Sequence, residues 1–157
     1  MVMPVESARL AYAPFKNVPA GHVYVVFRLR SGEEVAVSPE ADVQEGEQFS
    51  LVRGMKKTYR LRYFIRPAKD MAQRLHADGR EVREYPLNLS SEQVSQLYKR
   101  MSTRSIFLES TFRWYNTLFN SCVTSITNHL NDVCTGRTLS KLSLVLLPQR
   151  FSKSVAP

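Results

Sequence analysis

The chain has 157 residues, of which 43% are hydrophobic and 23% charged, and its formal net charge is +8. These values are typical of one globular domain with a proper core, and no apolar run approaches the roughly 18 residues of a membrane span. Two cysteines without a CxxC or HExxH pattern exclude a disulfide scaffold, and they predict no metal site and no cofactor.

The first predicted elements are strands. We expect residues 1–20 to be an N-terminal lead-in. The apolar run HVYVVFRL at 22–29 predicts a buried strand, and VAVS at 35–38 predicts its returning partner. The acidic stretch 39–48 predicts a loop. Alternation of apolar and basic residues at 58–65 predicts a half-buried strand with a basic outer face.

Helices follow in the second half of the chain. Pro67 suits the first turn of a short helix, which Gly79 ends. REYPL at 83–87 predicts a short strand. Ser90 and Gln93 have the spacing of a capping box at the start of the next helix. Strands first and helices later indicate an α+β fold.

A further helix is predicted from Ser121 to Cys134, with Asn120 or Ser121 as its N-cap. Apolar residues follow one another on its face at spacings of four, four and three: Cys122, Ile126, Leu130 and Val133. We expect a single domain, with its core at 21–147 and a tail at 148–157.

Basic residues are concentrated at 53–66, where six bases occur without an acid. Such a stretch is typical of a solvated strand face, which we favour, and the alternative is an anionic partner, either membrane headgroups or nucleic acid. If a partner binds there, we expect an anionic membrane surface and no specific nucleic acid. The residues that would bind it are Arg53, Lys56, Lys57, Arg60 and Arg62.

Cys122 is the candidate nucleophile, because unsatisfied amides at a helix start favour a thiolate and can bind an oxyanion. A base must then be found among three histidines. His76 lies in a polar helix, and His129 lies two turns along the cysteine helix. His22 opens a strand and can face the start of a packed helix. The alternative is that Cys122 is a small buried residue.

The histidine precedes the cysteine in the chain, and three motifs occur in the same order: His22 at a strand start, SPEA at 38–41 and YNTLFNSCVT at 115–124. With them the chain resembles the Lnb N-terminal periplasmic domain family from His22 to Asn131. The resemblance implies a circularly permuted papain-like fold, in which an antiparallel sheet packs on the cysteine helix. It also implies thiol chemistry, since the namesake member transfers an acyl chain onto bacterial lipoproteins.

By motif match, the resemblance assigns Cys122 as nucleophile and His22 as general base. Glu40 is the candidate that orients the imidazole, with Ser38 as the alternative. Asn120 and Ser121 are candidates for capping the helix or assisting the oxyanion. Family members usually have two asparagines before the cysteine, whereas here serine stands at 121.

The implied function is a hydrolase or acyltransferase that works through an acyl-cysteine on an acyl-bearing lipid, lipoprotein or peptide. The alternative is a non-catalytic basic module that binds an anionic surface. The family implies a periplasmic or membrane-associated location, whereas a complete chain without signal or membrane segment would be cytoplasmic. We also expect Cys122 to react with iodoacetamide near neutral pH faster than Cys134, through a lowered pKa.

Overall fold

The computed structural model describes residues 4–118, 120–134, 139–140, 144 and 148–155, apart from the side chain of residue 154. It is an α+β structure built on one antiparallel sheet of five strands in the order β4-β3-β2-β1-β5. The strands are β1 (Val5–Pro14), β2 (Gly21–Leu29), β3 (Glu34–Asp42), β4 (Arg60–Pro67) and β5 (Arg83–Pro86).

Among the helices that the described residues define in full are α1 (Ala68–Ala77), α2 (Ser91–Ser110), α3 (Cys122–Val133) and α4 (Pro148–Ser154). The predicted capping box of α2 is confirmed, since the Ser90 hydroxyl accepts from the Gln93 amide and the Gln93 side chain accepts from the Ser90 amide. Gly79 has φ +69° just past α1, as a helix-ending glycine should. Among the described residues, none of the helices is both long and apolar enough to cross a membrane.

Both faces of β2 are covered, which explains its continuous apolar sequence. Val23, Val25 and Phe27 belong to the larger core cluster, together with apolar residues of α2 and α3. Tyr24 and Val26 face the other way, into a smaller cluster with residues of α1. Successive side chains of a strand point to opposite faces, so a strand that lies between two helical layers needs apolar residues throughout.

The lead-in expected at residues 1–20 contains strand β1, which lies between β2 and β5 in the sheet. Leu10, Ala11 and Ala13 are fully buried there. Alanine has little preference for strands, so the local pattern at Val5–Pro14 is weak. Pairing with β2 from Ser7–Arg28 to Pro14–Gly21 determines the strand instead.

The loop predicted at 39–48 is wrong for its first four residues, because β3 continues through Asp42. The ladder between β3 and β2 ends at the Val37–Val25 pair, whereas the ladder with β4 continues to Asp42–Arg60. Pro39 has no amide hydrogen, and it is tolerated where β3 pairs on one side. The strands β2 and β3 therefore separate beyond Val25, which opens the sheet near His22.

The tail expected at 148–157 contains helix α4, whose Phe151 is fully buried in the larger core. One large apolar residue in a short polar segment gives almost no periodic signal. Burial of that ring nevertheless contributes roughly 2 kcal/mol, enough to hold a short helix against the domain.

Candidate active site

A cavity of about 770 Å³ opens where β2 begins, β3 ends and α3 begins. Three of the residues predicted for the site line it together: His22, Glu40 and Cys122. Ser121 also lines the cavity, whereas Asn120 is absent from its described wall. The other polar residues of the wall include Arg66, Arg74, Arg80, Asp78, Tyr115 and Thr124.

Cys122 is the first residue of α3, as predicted. Ser121 is the N-cap, and its hydroxyl accepts a hydrogen bond from the Thr124 amide. The apolar stripe that continues from Cys122 through Ile126 and Leu130 is buried against the sheet. Capping and burial of this stripe together fix the cysteine at the helix start, with its sulfur at the cavity.

The sulfur of Cys122 is within reach of backbone amides from two elements. The amides of Val23 in β2 and of Val123 in α3 favour its ionised form by hydrogen bonding. Val23 has no ladder partner in β3, because that ladder ends at Val25. The gap in the sheet thus leaves an amide for the cysteine.

The expected lowering of the Cys122 pKa is wrong. Burial is the largest influence and raises the pKa of the thiol to about 11, and the charge of Glu40 adds to this rise. The amides of Val23 and Val123 act in the opposite direction but do not offset the loss of solvent around a side chain that is 6% exposed. At neutral pH the cysteine is a thiol.

His22 lies near the start of β2, on the same face of the sheet as Tyr24, whose ring stacks on it with centroids 5.9 Å apart. Its Nε2 is 2.7 Å from the hydroxyl oxygen of Ser38, which is 1% exposed. Burial lowers the pKa of His22 to about 4, the charge of Glu40 opposes this, and Arg80 and Arg66 add to it. The imidazole is therefore neutral at pH 7.

Glu40 pairs with Arg66 across the β3–β4 ladder rather than hydrogen bonding to the imidazole. The Arg66 Nη1 donates to Glu40 Oε1 at 2.9 Å, and its guanidinium lies 4.2 Å from the centre of the Phe64 ring. The carboxylate still influences both candidate catalytic side chains, since its charge raises the pKa of His22 and of Cys122. Within the described chain, the hydrogen-bond partner of the His22 ring is the Ser38 hydroxyl.

The remaining predicted residues have other contacts. The side-chain amide of Asn120 donates to the carbonyl of Trp114 at 3.0 Å. His129 Nε2 lies 3.0 Å from the Tyr63 hydroxyl, on the core side of α3. Arg60 donates to the carbonyls of Leu108 and Glu109. This residue of the basic stretch therefore makes hydrogen bonds within the domain.

Two residues of the cavity wall, Tyr115 and Arg80, were not among the site residues predicted from the sequence. Burial raises the pKa of Tyr115, whereas the backbone amide of Cys122 acts to lower it. The YNTL motif is the signal that could have indicated this tyrosine. Arg80 comes from the loop between α1 and β5, and nothing in its local sequence distinguishes it from a surface arginine.

The fold and the cavity define a class: an α+β domain in which a helix-start cysteine and a strand histidine share one cavity. The chain belongs to the Lnb N-terminal periplasmic domain family, whose model matches residues 3–155. Neither the curated proteins nor the solved structures contain a significant match. In the described segments, no group of three or more His, Cys, Asp or Glu residues could hold a metal ion.

Proposed function

We propose that this domain is a cysteine-dependent hydrolase or acyltransferase that forms an acyl-cysteine at Cys122, with His22 as its general base. The observation that supports it best is that both side chains line one cavity, where the backbone amides of Val23 and Val123 favour the ionised form of the sulfur. The histidine strand precedes the cysteine helix in the chain. We propose on this ground that the fold is a circularly permuted relative of papain-like enzymes.

In the first step, the sulfur of Cys122 attacks the acyl carbonyl carbon and His22 accepts the thiol proton. Both groups are neutral beforehand, so the proton moves as the carbon–sulfur bond forms. The amides of Val23 and Val123 stabilise the negative charge that develops on the carbonyl oxygen. The tetrahedral intermediate then expels an amine or alcohol, which takes the proton back from His22 and leaves a thioester.

In the second step, an acceptor attacks the thioester carbonyl while His22 removes its proton. Water as acceptor gives hydrolysis, and an amine or hydroxyl gives acyl transfer. Expulsion of the sulfur regenerates the Cys122 thiol after it recovers the proton from His22. The proposed substrates are acyl-bearing lipids, lipoproteins or peptides, since the wall of the cavity combines apolar side chains with these polar groups.

Acylation by a p-nitrophenyl ester of a short fatty acid, followed by intact mass, tests this proposal. The native protein should gain one acyl group, and Cys122→Ala should gain none. Cys134→Ala is the matched control, because it removes the cysteine at the other end of the same helix, and it should be acylated like the native protein. His22→Ala should slow acylation by about 100-fold or more, the usual contribution of a general base.

An acyl group that appears on Cys122→Ala, or an unchanged rate for His22→Ala, would contradict the proposal. Circular dichroism of each variant establishes that the fold is intact before the rates are compared.

We also propose that the domain contacts anionic membrane headgroups through Arg53, Lys56 and Lys57. The side chains of these three residues are exposed. Arg62, by contrast, is paired with Asp42 and Glu109. Each basic residue near an anionic surface contributes about 1 kcal/mol, so the three can support weak, salt-sensitive binding.

Sedimentation with vesicles tests the membrane contact. Vesicles rich in phosphatidylglycerol should bind the protein at low salt, and pure phosphatidylcholine vesicles should not. The double variant Lys56→Glu/Lys57→Glu should lose binding but keep acylation. Equal binding of native and double-variant protein would refute this contact without affecting the catalytic proposal.

A further inference from the structure

Arg80 places a guanidinium in the wall of the same cavity. Its Nη2 donates to the carbonyl of Ala13 at 2.6 Å, and its guanidinium carbon lies 4.7 Å from the centre of the Phe15 ring. These two contacts anchor the side chain against the end of β1. They leave most of the donors of the guanidinium for other partners.

Among the described residues, Arg80 forms no ion pair, in contrast to Arg66 on the same wall, which pairs with Glu40. The Nε of Arg80 is buried and has no hydrogen-bond partner. Asp78 lies two residues earlier, is exposed and acts on Arg80 only through its charge. Arg80 as a whole is only partly buried, and a cation in a cavity wall that has no carboxylate partner within the described chain is able to pair with an anionic ligand.

The position of Arg80 relates this cation to the reacting groups. Its charge is among the causes that lower the pKa of His22. The charge of an ionised Cys122 in turn acts on Arg80. An anion bound by Arg80 would therefore lie within electrostatic range of both His22 and Cys122.

We propose that Arg80 binds an anionic oxygen group of the substrate, a carboxylate or a phosphate, close to the acyl group that Cys122 attacks. The assignment of the ligand as substrate rests on the proposed function, whereas anion binding itself does not. The planar fork of a guanidinium suits two oxygens of either group. Exposed Arg74 lies on the same wall and provides a matched control for the charge alone.

Binding also has a consequence for the base. An anion at Arg80 would offset the positive charge that disfavours protonated His22. The pKa of His22 should then rise from about 4 towards its ordinary value. A base with a higher pKa accepts the thiol proton more readily, so a substrate with the anionic group would assist its own attack.

Anion binding is tested with Cys122→Ala protein, in which no acylation occurs. Inorganic phosphate and acetate are titrated separately while the His22 ring resonances are followed by NMR, so that the two arms distinguish phosphate from carboxylate. At least one anion should bind saturably and raise the pKa of His22. Each further substitution is made in the Cys122→Ala protein. Arg80→Gln should weaken anion binding tenfold or more, Arg80→Lys should weaken it less, and Arg74→Gln should leave it unchanged.

Unsaturable shifts for both anions, or equal losses for Arg80→Gln and Arg74→Gln, would overturn the proposal. A second arm compares acylation by p-nitrophenyl acetate and by mono-p-nitrophenyl succinate, whose acyl group has a carboxylate. Arg80→Gln should reduce the preference for the succinate ester, measured as the ratio of the succinate rate to the acetate rate, about tenfold. If anions bind but the native protein is not acylated, the proposed enzyme activity is refuted and the anion site is retained. If the native protein is acylated but binds no anion, the anion site is refuted and the enzyme activity is retained.

Discussion

The imidazole Nε2 of His22 lies 2.7 Å from the hydroxyl oxygen of Ser38, on neighbouring strands beyond the end of their ladder. A hydroxyl can donate or accept, so it can hold the ring in the tautomer that leaves Nδ1 able to take a proton. In the proposed reaction, Ser38 thus positions the base, while Glu40 acts on it through charge.

The first prediction concerns this hydrogen bond. Ser38→Ala removes the partner of the ring and should lower the rate of acylation about tenfold, since one such bond contributes roughly 1 to 1.5 kcal/mol. Ser38→Thr retains a hydroxyl and should recover part of the rate. If Ser38→Ala acylates as fast as the native protein, the hydroxyl does not position the base.

A second prediction follows from the buried thiol. Because the pKa of Cys122 is raised to about 11, its alkylation by iodoacetamide should be slow at pH 7 and should increase about tenfold per pH unit above it. Measurement in Cys134→Ala protein restricts the label to Cys122. A rate that levels off near pH 7 would show that the resting cysteine is ionised.

Glu40 provides a third test, because its charge disfavours the thiolate. Glu40→Gln removes that charge and also leaves Arg66 without its carboxylate, and both changes should lower the pKa of Cys122. Alkylation at pH 8 should become several-fold faster. Asp42→Asn is the control, since Asp42 lines the cavity but pairs with Arg62, and slower alkylation of Glu40→Gln would contradict the prediction.

The fourth prediction is a pH dependence of stability. Burial lowers the pKa of His129 to about 4, so the unfolded chain, with an ordinary pKa near 6.5, binds the proton more tightly. Stability should be fully present above about pH 6.5 and should fall as the pH is lowered towards 4. His22 acts in the same direction.

Urea unfolding at several pH values measures this effect. His129→Gln should reduce the loss between pH 6.5 and 4 by roughly 1 to 2 kcal/mol. His76→Gln is the control that replaces a histidine at an exposed position. A His129→Gln profile parallel to that of the native protein would show that His129 does not couple folding to pH.

The fifth prediction concerns the glycine before His22. A Cβ at Gly21 would lie 2.6 Å from the Ala13 carbonyl oxygen and 2.7 Å from the Tyr12 ring. Gly21→Ala should destabilise the fold by about 1 to 3 kcal/mol and slow acylation by displacing His22. Gly46→Ala, where a Cβ meets open space but φ is +85°, is a control for backbone strain away from His22 and should keep the native acylation rate, and normal acylation by Gly21→Ala would indicate that the strand accommodates the methyl group.

Features that depend on neighbouring residues were determined by the sequence itself. The start of α3 follows from the Ser121 cap and from apolar residues that recur from Cys122 to Val133. The capping box of α2 and the end of α1 at Gly79 follow equally from local hydrogen bonds and backbone freedom. This local information placed the cysteine at a helix start and His22 at a strand start.

Only the tertiary structure decided the chemistry of these groups. Burial, which the sequence does not report, outweighs the helix-start amides and keeps Cys122 a thiol and His22 neutral. The hydrogen bond between His22 and Ser38 and the approach of Arg80 to His22 join residues 16 and more positions apart. Desolvation and charge act on a side chain from residues that are close in space but distant in the sequence. The residues next to it in the chain therefore do not predict its pKa.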